Sequence, residues 1–204
     1  MKRIHLTLSL LLLCIFLYAQ DDIPLNPEWK QKGDFLYGAF VGLTSNTLSI
    51  PNDNFSFNDQ SGNSFMIGGR AEYFLGKNWS IRGGLNYERR NFGRRGFGPD
   101  QVLTYITVPV YPTWHFGKNR RWNLGLGLGY AQPLEDVEGF NSTATTIFNI
   151  GIIIPISKLR FFIEAEGMTD LRRDEIEFED FFGNSFGLIE IAKNRSSLNF
   201  GIYF

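Results

Sequence analysis

The sequence predicts an all-β chain, an eight-stranded antiparallel up-and-down transmembrane β-barrel. Three observations predict it. Apolar and polar residues alternate with period two in segments of about ten residues. The apolar rows carry aromatics at their ends and aliphatics in the middle. The connections between segments alternate strictly between short and long.

The clearest segment runs from Trp122 to Tyr130. Trp122, Leu124, Leu126, Leu128 and Tyr130 form one row, and Asn123, Gly125, Gly127 and Gly129 form the other. Side chains of a strand point alternately to opposite faces, so one face is wholly apolar with an aromatic at each end. That arrangement fits the two interfacial girdles of a membrane barrel. The glycine face leaves room inside a narrow barrel for bulky neighbours. Trp79, Ile81, Gly83, Leu85 and Tyr87 repeat the theme, as do Phe65, Ile67, Gly69, Ala71, Tyr73 and Leu75. So do Phe161, Ile163, Ala165 and Gly167, then Leu198, Phe200, Ile202 and Phe204. The first row is Phe35, Tyr37, Ala39, Val41 and Leu43.

Two further segments, near 104–116 and 146–156, alternate less cleanly. The predicted strands are 35–47, 64–75, 79–91, 103–116, 122–132, 145–156, 160–170 and 196–204. Their number is even, as in single-chain bacterial barrels. Pro109 and Pro112 cannot donate to a ladder, so a bulge or irregular pairing is expected in the fourth strand. The connections at 76–78, 117–121 and 157–159 are short. Those at 48–63, 92–102, 133–144 and 171–195 are long. An outer-membrane barrel has short periplasmic turns and longer outside loops, which puts both chain ends on the periplasmic side.

Composition agrees. The chain has 20 Phe, 8 Tyr, 4 Trp and 22 Gly, a bias toward strands with tight corners over helices. Mean hydropathy is −0.14, too polar for a helical membrane protein but suited to a barrel whose alternate residues avoid lipid.

Lys2 and Arg3 precede an apolar stretch from Leu6 to Leu17, and Tyr18-Ala19-Gln20 follows. This pattern is that of a secretory signal peptide, 1–19, cut after Ala19. The apolar stretch is short for a permanent membrane helix. Leu11-Leu12-Leu13-Cys14 resembles a lipoprotein box only superficially, because bulky Leu13 stands where a small residue is usual. Residues 20–34, with Pro24 and Pro27, read as a periplasmic tail, and 35–204 as the barrel domain. Cleavage removes the only cysteine, Cys14, and with it any disulfide, thiolate nucleophile or cysteine metal site. It also removes Lys2 and Arg3 and no acid, so the net charge falls from −1 to −3. That is too weak a charge to suggest a nucleic-acid partner.

If the apolar rows face lipid, the interior receives Arg70, Glu72, Arg82, Asn86, Glu88, Arg90, Asn149, Glu164, Glu166, Asn199 and Tyr203. Charges of both signs on adjacent strands suit a structural ion-pair network, since buried charges are normally paired. A narrow proton or ion path is the alternative.

Enzyme chemistry finds little support. His5 leaves with the signal. His115 is placed at the rim beside the short turn, where interfacial packing is its expected role, with no serine and carboxylate pair recognisable beside it. No metal-ligand spacing and no phosphate-binding glycine motif is present, so no catalytic, cofactor or metal residue is assigned.

The long loops remain. Arg89, Arg90, Arg94 and Arg95 surround Phe92 and Phe97, and arginine forks suit phosphate, including that of lipopolysaccharide. Pairing with acidic neighbours is the plainer role. Asp174, Glu175, Glu177, Glu179 and Asp180 interleave with Ile176, Phe178, Phe181 and Phe182. Their spacing matches no calcium loop. A hairpin extending above the membrane, with phenylalanines facing a protein partner, is expected instead.

Three features carry a resemblance. Asn199-Phe200-Gly201-Ile202-Tyr203-Phe204, ending on an aromatic, resembles the C-terminal signal read by the outer-membrane insertion machinery. The Ala19-Gln20 junction resembles cleavage sites of Bacteroidota. Tyr105-Ile106-Thr107-Val108-Pro109-Val110 resembles the Tyr-x-Glu-Ile-Pro-Leu element of the PorT-like outer-membrane β-barrel family of that phylum, with Thr107 in place of Glu. The resemblance implies a Gram-negative outer membrane and contact with its lipid and lipopolysaccharide. The expected role is a non-enzymatic structural or partner-binding barrel without a cofactor. Alternatives are a narrow channel, a transport or secretion accessory, and a lipid A-modifying enzyme.

Overall fold

The computed structural model describes residues 31–49, 60–92, 101–136, 140–156, 159–179 and 185–204. Nine strands are β1 (Phe35–Ser49), β2 (Gln60–Phe74), β3 (Trp79–Phe92), β4 (Gln101–Phe116), β5 (Trp122–Pro133), β6 (Thr143–Ile156), β7 (Leu159–Asp170), β8 (Asp174–Glu179) and β9 (Ser185–Tyr203). Seven of them, β1 to β7, pair antiparallel in chain order. β9 then pairs with both β7 and β1 and closes the barrel at eight strands. β8 pairs with β9 above this closure and forms the expected hairpin.

The register fixes the strand tilt. From Tyr37 it passes through Ala71, Gly83, Val110, Leu128, Thr146, Thr169 and Asn194, and returns to β1 at Thr47. Position 47 lies ten residues past position 37. A stagger of ten over eight strands tilts each strand roughly 40° from the axis.

The β5 row decides which way the wall faces. Leu126, Leu128 and Tyr130 are exposed and Trp122 and Leu124 half-exposed, whereas Asn123, Gly125 and Gly129 are buried. Apolar side chains therefore cover the outside. At the end bearing the short connections, here the turn end, Phe35, Tyr37, Tyr73, Trp79, Trp114, Phe161 and Phe204 stand outward as a ring of aromatics. Tyr37 and Phe204 lie 6.0 Å apart, joining the last strand to the first. Toward the other end, here the loop end, Phe65, Tyr87 and Tyr130 are the outward aromatics of β2, β3 and β5.

One expectation needs correction. The last barrel strand begins well before residue 196, because β9 starts at Ser185. Its outward row near Asn194 and Ser196 is polar, so the apolar alternation that marks the other strands is missing there. The fourth strand shows the expected irregular pairing as gaps in its ladder, without a bulge. Pairing with β3 runs from Gly83↔Val110 to Asn86↔Thr107, and with β5 from Val110↔Leu128 to Thr113↔Gly125. Each gap keeps its register, as expected when Pro109 and Pro112 each lack one N–H. β6 alternates less cleanly, as expected: Ile147 and Ile153 point inward into apolar clusters and Ile150 faces out, but Ile152 on the outward row is buried as well.

Candidate functional site

The interior and the loop-end hairpin are the two places where this chain departs from a plain wall. All eleven residues expected inside are buried there. They are sorted by height into ion-pair clusters, with apolar side chains at both ends.

The lower cluster centres on Glu72 of β2. Its Oε2 accepts from Arg82 Nη2 at 3.1 Å and from the Tyr203 hydroxyl at 3.2 Å. Its Oε1 accepts from Ser80 Oγ at 2.5 Å and from His115 Nε2 at 2.6 Å. Arg82 also donates to Glu164 Oε2 at 2.5 Å, and Arg70 to Glu164 Oε1 at 2.9 Å. The Arg70 guanidinium is sandwiched between the Phe40 and Phe162 rings, at 4.4 and 4.3 Å. Both rings belong to an apolar cluster with Leu36, Met66, Phe74, Ile153 and Tyr203 that fills the barrel toward the turn end.

The middle cluster centres on Arg195 of β9, which donates to Glu88 and to Glu166. Glu88 also accepts from Arg90 at 2.9 Å. Above it, Lys193 bonds Asp174 at 2.5 Å and pairs with Asp170 at 3.2 Å. Arg90 stacks 4.1 Å from the Tyr105 ring. A second apolar cluster of Phe92, Leu103, Tyr105, Ala131, Phe140 and Ile191 lies over this level at the loop end.

Charges at these depths need partners, because an unpaired buried ion costs several kcal/mol, roughly 3–5 when one member of a pair is lost. The strand registers supply them. Glu72 and Arg82 are cross-strand neighbours, so these side chains meet without any loop, and Glu164 meets Arg70 and Arg82 across the lumen. The inward glycines make the space. A Cβ on Gly127 would strike the Tyr111 side chain and the Val110 backbone, and one on Gly125 would strike Asn149 and Tyr111.

The structure moves several residues from where the sequence placed them. His115 lies inside and is fully buried, not at the interface. Ser80 and Glu72 are both beside it, a pair that only the β2–β3–β4 register brings together. The geometry is nonetheless not a nucleophile relay. Nε2 lies so close to a carboxylate oxygen that it must carry the proton, so it offers no lone pair to Ser80, 3.0 Å away. Ser80 likewise gives its own proton to Glu72. The three residues form a hydrogen-bonded knot.

Arg90 and Phe92 point inward, so neither belongs to an exposed basic loop, whereas Arg89 is exposed. Arg94, Arg95 and Phe97 lie outside the described residues. Asp174 is buried against Lys193 and is not a free calcium ligand. Asp180, Phe181 and Phe182 lie outside the described residues. Lys193 and Arg195 were not among the expected interior residues. Their signal was their spacing, four and two residues before Ser197 on the inward row that continues to Asn199 and Tyr203.

The hairpin stands clear of the barrel. Pairing of β9 with β1 ends at Ala192, and β8 meets β9 from Asp174↔Ile191 upward. Among the described residues β8 pairs with β9 alone. At its base Arg173 bonds Glu190 at 2.9 Å.

OprG from Pseudomonas aeruginosa shares the fold at 11% identity and a TM-score of 0.58, over 85% of this chain and 97% of that one. Ail of Yersinia pestis is 14% identical over 85% of this chain and 100% of its own, with a TM-score of 0.46. Neisserial surface protein A is 11% identical over 82% and 97%, with a TM-score of 0.45. No curated protein matches in sequence. The outer membrane protein β-barrel domain family matches residues 18–193, most of the chain, and the protein belongs to that family.

Proposed function

We propose that this protein is a closed, non-enzymatic outer-membrane barrel of the PorT-like type that acts through its loop end on a partner protein. The observation that carries this reading is the filled interior. Two apolar clusters flank stacked ion-pair clusters, which suits a scaffold better than a pore. The projecting hairpin supports the partner. An edge strand presents a row of backbone donors and acceptors on which an extended segment of another protein can add. In this reading residues 1–19 are a signal peptide, 20–34 a periplasmic tail, and the short turns and both chain ends are periplasmic. The outward apolar wall meets lipid, lipopolysaccharide surrounds the loop end, and Phe204 closes the segment read by the insertion machinery.

Two measurements test this. Purified protein in a planar bilayer should give a flat current trace at high voltage, and discrete conductance steps would refute the closed scaffold. Trypsin added to intact cells should cut at exposed Arg172 or Arg173, beside the hairpin, and spare the tail at Lys30 and Lys32. The reverse pattern would refute the orientation.

A further inference from the structure

Among the described residues the outer wall has a notch that its role as an apolar belt does not explain. It has a volume of about 330 Å³ and lies on the outside of β6, β7, β9 and β1. Its floor is Gly167, where a Cβ would meet nothing within 4 Å. Ser196 pairs in register with both Gly167 and Ser45, and Thr146 pairs with Thr169. These outward positions therefore form one continuous patch.

Polarity changes across the notch in the same direction on each strand. Toward the turn end the outward residues are Leu43 on β1, Phe148 on β6, Ala165 on β7 and Leu198 on β9. Toward the loop end they become Ser45, Thr146, Thr169 and Ser196. Allowing for the stagger, this change falls at the height where β2, β3 and β5 carry Phe65, Tyr87 and Tyr130. The loop-end aromatic ring is thus interrupted on this side by small hydroxyl residues. The patch carries hydroxyls and the Asn194 amide but no outward charge; Arg195 also lines the notch, but its guanidinium turns inward to Glu88 and Glu166. Thr146 donates to the Thr169 carbonyl at 3.3 Å, which leaves its oxygen as an acceptor.

We propose that the notch seats one membrane lipid by its linkage region, the ester, amide or hydroxyl groups between headgroup and acyl chains. The site is continuous with the lipid-facing wall, so lipid is the molecule already against it. Its gradient matches an amphiphile with acyl chain over Phe148 and Leu126 and polar linkage over Ser45, Thr169 and Ser196. The absence of outward charge there points to the neutral linkage in preference to a phosphate. This rests on the membrane reading of the wall and not on the closed interior or on a partner at the hairpin.

The test is native mass spectrometry of the full mature protein titrated in detergent with a diacyl phosphatidylethanolamine. Wild type should retain one lipid. Gly167→Phe fills the room, and the Ser45→Ala/Ser196→Ala double variant removes hydroxyls while keeping the room. Each should weaken retention roughly ten-fold, the loss expected of one or two ordinary hydrogen bonds. The diether analogue of the same lipid, which lacks the ester carbonyls, should be weakened similarly on wild type. Gly69→Phe, outward on β2 and three strands away from Gly167, should leave retention unchanged. Equal retention by all variants would overturn the proposal, as would equal retention of diester and diether. A wild-type dimer lost in Gly167→Phe would assign the notch to a second copy instead.

Discussion

Glu72 and His115, forty-three residues apart in sequence, meet inside the barrel with Oε1 and Nε2 at 2.6 Å. The contact ties β2 to β4 across β3, and Ser80 of β3 completes it. Because Arg82 and Tyr203 hold the other oxygen, one carboxylate organises four side chains from three further strands.

Glu72→Gln should therefore destabilise the barrel by about 3–5 kcal/mol, the scale for removing one member of a buried ion cluster. Urea unfolding in lipid vesicles, followed by heat-modifiable gel mobility, measures it. A loss below about 1 kcal/mol would mean that the cluster is loosely held.

Buried and exposed arginines on neighbouring stretches of chain should differ sharply. Arg195→Met strands Glu166, leaves Glu88 with Arg90 alone, and should cost roughly 3–5 kcal/mol. Arg173→Met breaks only the half-exposed pair with Glu190 and should cost about 0–1 kcal/mol. Similar midpoints for the two variants in one urea series would contradict the assigned depths.

Much of this was legible in the sequence, for a stated reason. Where one face meets lipid and the other meets charge, period two is plain, so β3, β5 and β7 and their inward Arg82, Glu88, Glu164 and Glu166 could be read directly. Where both faces are apolar, as near Ile153, the alternation fades although the strand persists. Where both are polar, as at Lys193 to Ser197, it vanishes, and the start of β9 was missed. The Ser80–His115–Glu72 knot was illegible because it depends on the register of three strands, which sequence spacing does not contain.

The inward glycines should tolerate less than the outward ones. Gly127→Ala puts a methyl against Tyr111 and the Val110 carbonyl and should cost about 1–3 kcal/mol. Gly69→Ala, whose added atom comes no nearer than 3.9 Å to the Gly38 carbonyl, should be close to neutral. The same vesicle unfolding assay compares them, and a reversed order would argue that the wall faces the other way.

Phe204→Ser should separate assembly from stability. Its ring neighbours Tyr37 on the surface, a contact worth about 0.5–1.5 kcal/mol. Refolded protein should therefore unfold nearly as wild type does. In cells, the folded outer-membrane fraction should fall much further if the terminal aromatic is read during insertion. Unchanged cellular assembly would remove that role.

The most direct test is nitroxide scanning of β5 in lipid vesicles, one cysteine at a time from Trp122 to Tyr130 in the mature chain. Collision with oxygen dissolved in the bilayer should be high at 124, 126 and 128 and low at 123, 125, 127 and 129. The opposite phase, or no alternation at all, would contradict a barrel whose leucine row touches lipid.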